Sequence, residues 1–251
     1  MRLDKLLEYS NIGSRRKVKA LIRSKQVTVD GQVVRSENLN VDPGFQTILV
    51  EKKQVIYQPH VYYMMNKPQG VVTAVSDTTN QTVLQLVMPQ DRRKGLYPIG
   101  RLDKDTEGLL LITDNGQLGY QLLLPEKKVV KCYEVIVNAR LTNQDYLAFK
   151  KGIIFADQTQ CQPAELTIKR ASEKESLAHL AIAEGKFHQV KKMFLSVGKK
   201  VIFLKRLSMG PIWLDESLVP GTYRPLNQAE LTELRPYFTS HKKEKSIENE
   251  V

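Results

Sequence analysis

The stretch that decides the fold is Gly-Arg-Leu-Asp-Lys-Asp-Thr-Glu-Gly at residues 100–108, which runs directly into Leu-Leu-Leu-Ile-Thr at residues 109–113. Three carboxylates and two cations stand within nine residues, beside a segment apolar enough to form a buried strand. A turn that needed only solubility would not carry Leu102 in its middle. The pattern therefore predicts a carboxylate held at the rigid edge of a core strand, with a plain charged turn as the alternative.

The bulk composition limits the class of protein. The chain has 251 residues, enough for one large domain or two smaller ones, and an ordinary content of apolar and charged residues. Its formal net charge of +11 predicts an anionic partner, most simply a phosphate backbone. No apolar stretch is long enough to span a membrane and no signal peptide opens the chain, so we expect a cytoplasmic protein. Nothing in the sequence demands more than a monomer.

Cysteine and histidine usage bears on metals and redox chemistry. The two cysteines, Cys132 and Cys161, form no disulfide framework and suit a reducing compartment. The four histidines have no metal-ligand spacing to each other or to cysteine. The chain also has no P-loop, no glycine-rich dinucleotide motif and no zinc-deaminase signature. We therefore expect no metal and no cofactor.

The first 25 residues hold eight lysines or arginines and only two acidic residues. Leucines at 3, 6 and 7 predict a short helix, and Ser14 is placed to cap a second helix. On that second helix the apolar and basic residues fall on different sides, which favours nucleic-acid binding over a merely solvated face. The cations that we expect to contact RNA are Arg2, Lys5, Arg15, Arg16, Lys19 and Arg23.

The same residues carry a resemblance. The segments 2–7, 14–16, 21–22 and 27–31 are similar in order and spacing to an S4-type RNA-binding domain, over about residues 1–50. The resemblance implies that this module binds structured RNA, and it implies nothing about chemistry.

Beyond a predicted linker at residues 51–60, hydrophobic periodicity predicts a second, larger folding unit. Residues 131–137 alternate, so Tyr133 should share one face of a strand with the valines at 135 and 137. Residues 190–197 have helical spacing and are closed by Gly198. The remaining strands are predicted at 61–65, 71–73, 109–113, about 164–170, 177–183 and 201–207, and the remaining helices near 117–124 and at 141–151.

A second segment with candidate catalytic residues lies at the start of that 190–197 helix. Lys191 neighbours the apolar stripe, so its stem should be packed and its ammonium directed to one place, although an ordinary surface lysine is the alternative. A carboxylate, a pairing lysine, an aromatic face and an RNA-binding module together indicate chemistry on a nucleoside.

Four ordered motifs give a more specific resemblance. They are Tyr-Met-Met-Asn-Lys-Pro-Gln-Gly at 63–70, Gly-Arg-Leu-Asp-Lys-Asp-Thr-Glu-Gly-Leu at 100–109, Lys-Cys-Tyr-Glu-Val at 131–135 and Glu-Gly-Lys-Phe-His-Gln-Val-Lys-Lys-Met at 184–193. Together they resemble the RsuA-type pseudouridine synthases. The resemblance implies that Asp103 is the essential aspartate, that Tyr133 stacks on the target base and that Lys191 pairs with the aspartate. The further substrate contacts that we expect are Arg101, Leu204, Lys186, His188 and Gln189.

The resemblance also implies an architecture and a substrate. We expect an α+β protein with an S4-like domain at 1–58, a catalytic domain with a mixed, mostly antiparallel sheet at 59–238 and a charged flexible tail at 239–251. Residues 214–226 resemble the subgroup that modifies one uridine of 16S ribosomal RNA. Subgroups that modify 23S ribosomal RNA share the catalytic motifs and are the alternative. The partner is thus ribosomal RNA or a small-subunit assembly intermediate.

Three other functions are compatible with parts of the sequence. A non-catalytic RNA-binding or ribosome-assembly factor would keep the S4-like domain but would not need Asp103, Tyr133 and Lys191 together. Calcium binding by an EF-hand-like loop from Asp103 to Asp114 is disfavoured, because the loop contains an apolar run and lacks the final glutamate. A glycosidase using Asp103 and Asp105 is disfavoured, because the basic RNA-binding module would then have no use.

Overall fold

The computed structural model describes residues 1–238, and the predicted tail at 239–251 lies outside them. The chain divides into two compact units. Among the described residues, one comprises Met1–Val61 together with residues 227–238, and the other comprises Tyr62–Leu226. No helix among the described residues is long and apolar enough to cross a membrane.

The N-terminal unit packs two helices against a small antiparallel sheet whose strand order is β2-β1-β3-β4. The predicted leucine stripe at 3, 6 and 7 is fully buried in its core. Residues 51–60 are not all linker as predicted, because Val55 is buried and its N–H donates to the Ile48 carbonyl at 2.9 Å. The elements are α1 (Leu3–Tyr9), α2 (Arg15–Arg23), β1 (Val27–Val29), β2 (Gln32–Val33), β3 (Ile48–Val50) and β4 (Lys53–Gln54).

The larger unit is built on one extended sheet. Its strands are β5 (Tyr62–Lys67), β6 (Tyr97–Ile99), β7 (Glu107–Thr113), β8 (Lys131–Val137), β9 (Glu165–Ala171), β10 (Ser176–Ile182), β11 (Val201–Met209), β12 (Ile212–Trp213) and β13 (Tyr223–Pro225). Its helices are α3 (Gly116–Leu123), α4 (Asn143–Lys151) and α5 (Gln189–Ser196).

Among the described residues the sheet order is β13-β5-β7-β11-β8-β10-β9, with β6 also pairing β7 and β12 also pairing β11. The pair β7–β11 is parallel and the other pairs are antiparallel, which confirms the predicted mixed, mostly antiparallel α+β fold. Strand β7 is buried from Gly108 to Thr113, as its apolar sequence indicates. The charged stretch therefore enters the sheet at one of its central strands.

Two local predictions differ from the structure. The strand predicted at 71–73 is wrong, because this segment makes only an isolated bridge between Val72 and Thr82 and its other residues bond into loops. The short strands β6, β12 and β13 were not predicted, since two or three residues carry too little periodicity to be recognised.

The last helix, α6 (Gln228–Phe238), joins the N-terminal unit rather than the larger one, to which the predicted boundary assigned it. Phe238 stacks on Phe45 with ring centroids 5.0 Å apart, and an Arg235 guanidinium nitrogen lies 2.7 Å from the Asp30 carboxylate. Tertiary packing therefore decides which unit covers the buried residues of this helix.

Candidate active site

The loop before β7 is fixed by bonds to its backbone. The Thr73 hydroxyl donates to the Leu102 carbonyl at 2.8 Å and accepts from the Leu102 N–H at 3.2 Å. The Thr106 N–H donates to the Asp103 carbonyl at 3.1 Å. Leu102 itself is buried in the hydrophobic core with Tyr133. The backbone that carries Asp103 is therefore held from both sides, as preorganised chemistry requires.

A buried lysine also stabilises this loop. The Lys67 ammonium donates to the carbonyls of Pro68 at 2.9 Å, Lys104 at 3.4 Å and Thr106 at 2.8 Å. Burial lowers the pKa of Lys67 to about 8, against the opposing attraction of Asp105 and other carboxylates. Within the motif at 63–70, Lys67 thus stabilises the loop by donating hydrogen bonds to its backbone carbonyls.

Gly108 is where the loop enters the sheet, and its backbone is in the left-handed region, with φ of +102°. A β-carbon at this position would lie 2.2 Å from the Arg206 carbonyl oxygen on the neighbouring strand β11. Only glycine allows β7 and β11 to approach here.

The central feature of the site is one lysine shared by two aspartates. The Lys191 ammonium lies 2.9 Å from Asp103 Oδ2 and 2.6 Å from Asp105 Oδ1. The two carboxylates differ in exposure, since 28% of the Asp103 side chain but 69% of the Asp105 side chain is accessible. The structure therefore brings Asp103 and Lys191 together, and it adds a second carboxylate that the sequence analysis did not assign to this pair.

The protonation equilibria of this cluster favour its ionised form. Partial burial of Lys191 would lower its pKa, but the hydrogen bonds to Asp105 and Asp103 outweigh it and raise the pKa. Partial burial of Asp105 would raise its pKa, but the hydrogen bond and charge of Lys191 lower it. At neutral pH Lys191 and Asp105 therefore form a charged pair.

Asp103 and Lys191 open into a small pocket, about 90 Å³ in volume, between the loop, the sheet and α5. Tyr133 lines it from β8 and is only 8% exposed, because its strand alternates as predicted. Leu204 from β11 and Ile182 from β10 complete an apolar floor. The other lining residues are Arg101, Leu102, Thr106, Gly185, Lys186, His188, Gln189 and Val190.

Two of the predicted substrate contacts are engaged with Glu184. The Lys186 ammonium pairs with this carboxylate, and Gln189 Nε2 donates to it at 2.6 Å. The Gln189 side-chain oxygen also accepts from the Lys186 N–H at 2.8 Å. These residues therefore build the pocket wall, and Glu184, which begins the quoted motif, is the member that the sequence analysis missed.

His188 occupies the turn into α5. Its backbone is in the left-handed region with φ of +51°, and its Nε2 lies 3.5 Å from Asp103 Oδ1. The imidazole is 42% exposed, so it faces the mouth of the pocket. The conformation turns the chain sharply between the 184–187 segment and the helix.

In the N-terminal unit the predicted RNA contacts have different environments. Lys5, Arg15, Arg16 and Arg23 are exposed. Lys19 pairs with Glu37 at 2.8 Å, and Arg2 pairs with the buried Asp4 at 2.8 Å. Arg2 and Lys19 thus have intramolecular partners that sequence spacing alone did not reveal.

Comparison with known proteins identifies the class of protein that this fold and pocket define. A family model described as RNA pseudouridylate synthase matches residues 61–196, and an S4 domain model matches residues 1–45. The chain belongs to the RNA pseudouridine synthase family and carries an S4 domain, as both resemblances predicted. It is an RNA pseudouridine synthase. This membership argues against the calcium-binding, glycosidase and non-catalytic alternatives.

Relatives extend over nearly the whole chain. An uncharacterized RNA pseudouridine synthase, YtzG of Bacillus subtilis, is 44% identical over 92% of this chain and 97% of its own length. Ribosomal small subunit pseudouridine synthase A of Yersinia pestis is 37% identical over the same shares. A solved pseudouridylate synthase structure superimposes with a TM-score of 0.64 at 33% identity, covering 93% of this chain and 99% of that one.

Proposed function

We propose that the protein converts one uridine of 16S ribosomal RNA to pseudouridine, with Asp103 as the reacting carboxylate. The observation that carries this proposal is the convergence of Asp103, Lys191 and Tyr133 on one pocket. The 16S target is supported by the relative from Yersinia pestis, which is named for the small ribosomal subunit. The same reaction on 23S ribosomal RNA is the second candidate.

In the proposed reaction the target uridine leaves its stack and enters the pocket, where Tyr133 supplies a face for the base. Asp103 attacks C1′ of the ribose and forms an ester there as the bond from C1′ to N1 breaks and uracil leaves with the electron pair; alternatively, Asp103 takes a proton from the adjacent C2′ as that bond breaks. The uracil turns and C5 bonds to C1′, which breaks the ester and frees Asp103, or returns the proton to C2′. The hydrogen on C5 is then lost as a proton and N1 gains a proton. The product is an isomer of the substrate, so no other reactant is consumed.

The surrounding residues have supporting roles in this proposal. Lys191 holds the Asp103 carboxylate in an ion pair, and Leu204 contacts the uracil edge within the apolar floor. Arg101, which is exposed at the rim, holds open the space that the flipped nucleotide leaves. Lys186, His188 and Gln189 shape the wall against the substrate. The exposed cations of α1 and α2 bind the RNA backbone.

Tritium release tests the proposal, because forming the C1′–C5 bond displaces the hydrogen on C5. The substrates are 16S and 23S transcripts carrying [5-³H]uridine, and the variants are Asp103→Asn and Asp105→Asn. We expect release from 16S RNA, at least about 1000-fold slower for Asp103→Asn and less than about tenfold slower for Asp105→Asn. Both variants should keep the thermal midpoint of the wild type within a few degrees.

The outcomes separate the parts of the proposal. Release from 23S RNA alone would keep the reaction and overturn the 16S target. If Asp105→Asn lost more activity than Asp103→Asn, the roles of the two carboxylates would be reversed. Release only from partly assembled subunits would identify a ribonucleoprotein as the substrate.

A further inference from the structure

Phe187 lies at the rim of the pocket and has no role in the proposed reaction. Its side chain is 70% exposed, although its chain neighbours Lys186 and His188 both line the pocket. A large aromatic side chain at the edge of a reaction site is more informative than a scattered surface residue, because aromatic rings are the surfaces on which unpaired bases stack.

Two neighbouring side chains contact the Phe187 ring and leave most of its surface exposed. The ring stacks on the imidazole of His188 with centroids 3.8 Å apart and planes 21° apart. The Lys192 ammonium lies 5.4 Å from the Phe187 ring centroid. The left-handed backbone at His188 places this aromatic pair before the first turn of α5. The arrangement is therefore ordered by the turn and by the helix together.

A second cavity, about 540 Å³ in volume, begins on the other side of Lys192. It lies between α5 and residues 154–158, and the Lys192 ammonium lies 5.5 Å from the ring centroid of Phe155 on its wall. The other lining residues are Ile154, Ala156, Asp157, Gln158, Leu195 and Ser196, of which Ile154 and Leu195 are more than half exposed. The groove is thus mainly apolar, with one lysine and one carboxylate.

We propose that a nucleotide adjacent to the target uridine binds at this second site, with its base stacked on Phe187 and its edge in the groove. The inference rests on the proposed function and extends it from one nucleotide to two. Helix α5 connects the sites, because Lys191 contacts Asp103 while the next residue, Lys192, faces Phe187 and the groove. An exposed ring beside a lysine supplies stacking and a cation for the backbone phosphate.

A double-mutant cycle between protein and RNA tests the inference. The RNA is a fragment around the uridine that wild type modifies, with single abasic residues placed at each of three positions on either side. The proteins are wild type, Phe187→Ala, Phe187→Trp and Tyr120→Ala, the last being an exposed aromatic residue outside the linings of both cavities. Single-turnover tritium release gives the maximal rate and the half-saturating protein concentration for each combination.

We expect Phe187→Ala to raise the half-saturating concentration about tenfold and to leave the maximal rate within about twofold. Phe187→Trp and Tyr120→Ala should stay within about twofold of wild type. An abasic residue at one position should raise the half-saturating concentration of wild type about tenfold. The same RNA should not raise that of Phe187→Ala further, because both changes remove the same stacking contact.

Three results would overturn the inference. Abasic effects that are equal in wild type and Phe187→Ala would show that no base stacks there. A loss for Phe187→Ala on assembled subunits but not on naked RNA would indicate a protein at this site. Absence of release from every RNA by wild type would overturn the proposed function first, and the inference with it.

Discussion

Helix α2 and the loop at 100–108 are both rich in charge, but they use it differently. On α2 the cations Arg15, Arg16 and Arg23 are exposed to solvent. In the loop, Asp103 and Asp105 meet one lysine at 2.9 and 2.6 Å, and the Lys104 carbonyl between them accepts a hydrogen bond from the buried Lys67 ammonium. Exposed charges act over distance and are screened by salt, whereas the loop charges act through a fixed geometry. Substitutions in the two regions should therefore differ in size and in kind.

The largest effect should come from the junction of the loop with the sheet. Gly108→Ala places a β-carbon 2.2 Å from the Arg206 carbonyl and requires a left-handed backbone from alanine. We expect the free energy of unfolding to fall by more than about 3 kcal/mol in urea denaturation. Gly116→Ala is the matched control, since its β-carbon would meet no atom within 4 Å, and it should change stability by less than about 0.5 kcal/mol.

The next largest effect should come from Lys191→Met, which leaves the Asp103 and Asp105 carboxylates without their shared cation. We expect tritium release to slow about 100-fold at neutral pH, because the Asp103 carboxylate loses a cationic partner 2.9 Å away. Lys200→Met, at an exposed position, should retain activity. A rate for Lys191→Met within about twofold of the Lys200→Met rate would argue against an electrostatic role.

A smaller effect, seen as pH dependence, should come from Lys67. Its folded pKa of about 8 lies below its usual value of 10.5, so the unfolded chain holds this proton more tightly. Burying the charged ammonium lowers the free energy of unfolding. This destabilisation is fully present below pH 8 and is lost as the pH rises toward 10.5. Between pH 7 and pH 9 the unfolding free energy of wild type should therefore rise by about 1 kcal/mol relative to Lys67→Met. Parallel curves for the two proteins would contradict this.

The smallest effect should come from α2. Arg16→Ala should weaken RNA binding about two- to fivefold and reduce the slope of log affinity against log salt by up to about one. The maximal rate of tritium release should not change, because the exposed arginine acts on association rather than on the reaction. Lys174→Ala, an exposed change in the larger unit, is the control and should leave the salt slope unaltered. A fall in maximal rate for Arg16→Ala would remove the distinction between the two regions.

The bounds and buried faces of secondary-structure elements were predicted accurately where the hydrophobic pattern is long and periodic. Strand β8 spans Lys131–Val137, the predicted residues, and its alternation buries Tyr133 with Val135 and Val137. Helix α5 begins and ends within two residues of its predicted bounds, and its stripe is buried at Val190, Met193 and Phe194. These elements were readable because local periodicity and core burial agree over seven or eight residues.

The sequence by itself determined the charge asymmetry, the two motifs at 100–108 and 184–193, and the periodic elements that carry them, because these are local properties of the chain. The tertiary structure alone decided that Asp105 shares Lys191, that Glu184 binds Lys186 and Gln189, and that α6 packs in the N-terminal unit. Each of these depends on where the folded backbone places side chains, either through long-range packing or through the turn between Glu184 and Gln189. Sequence spacing alone does not encode those distances.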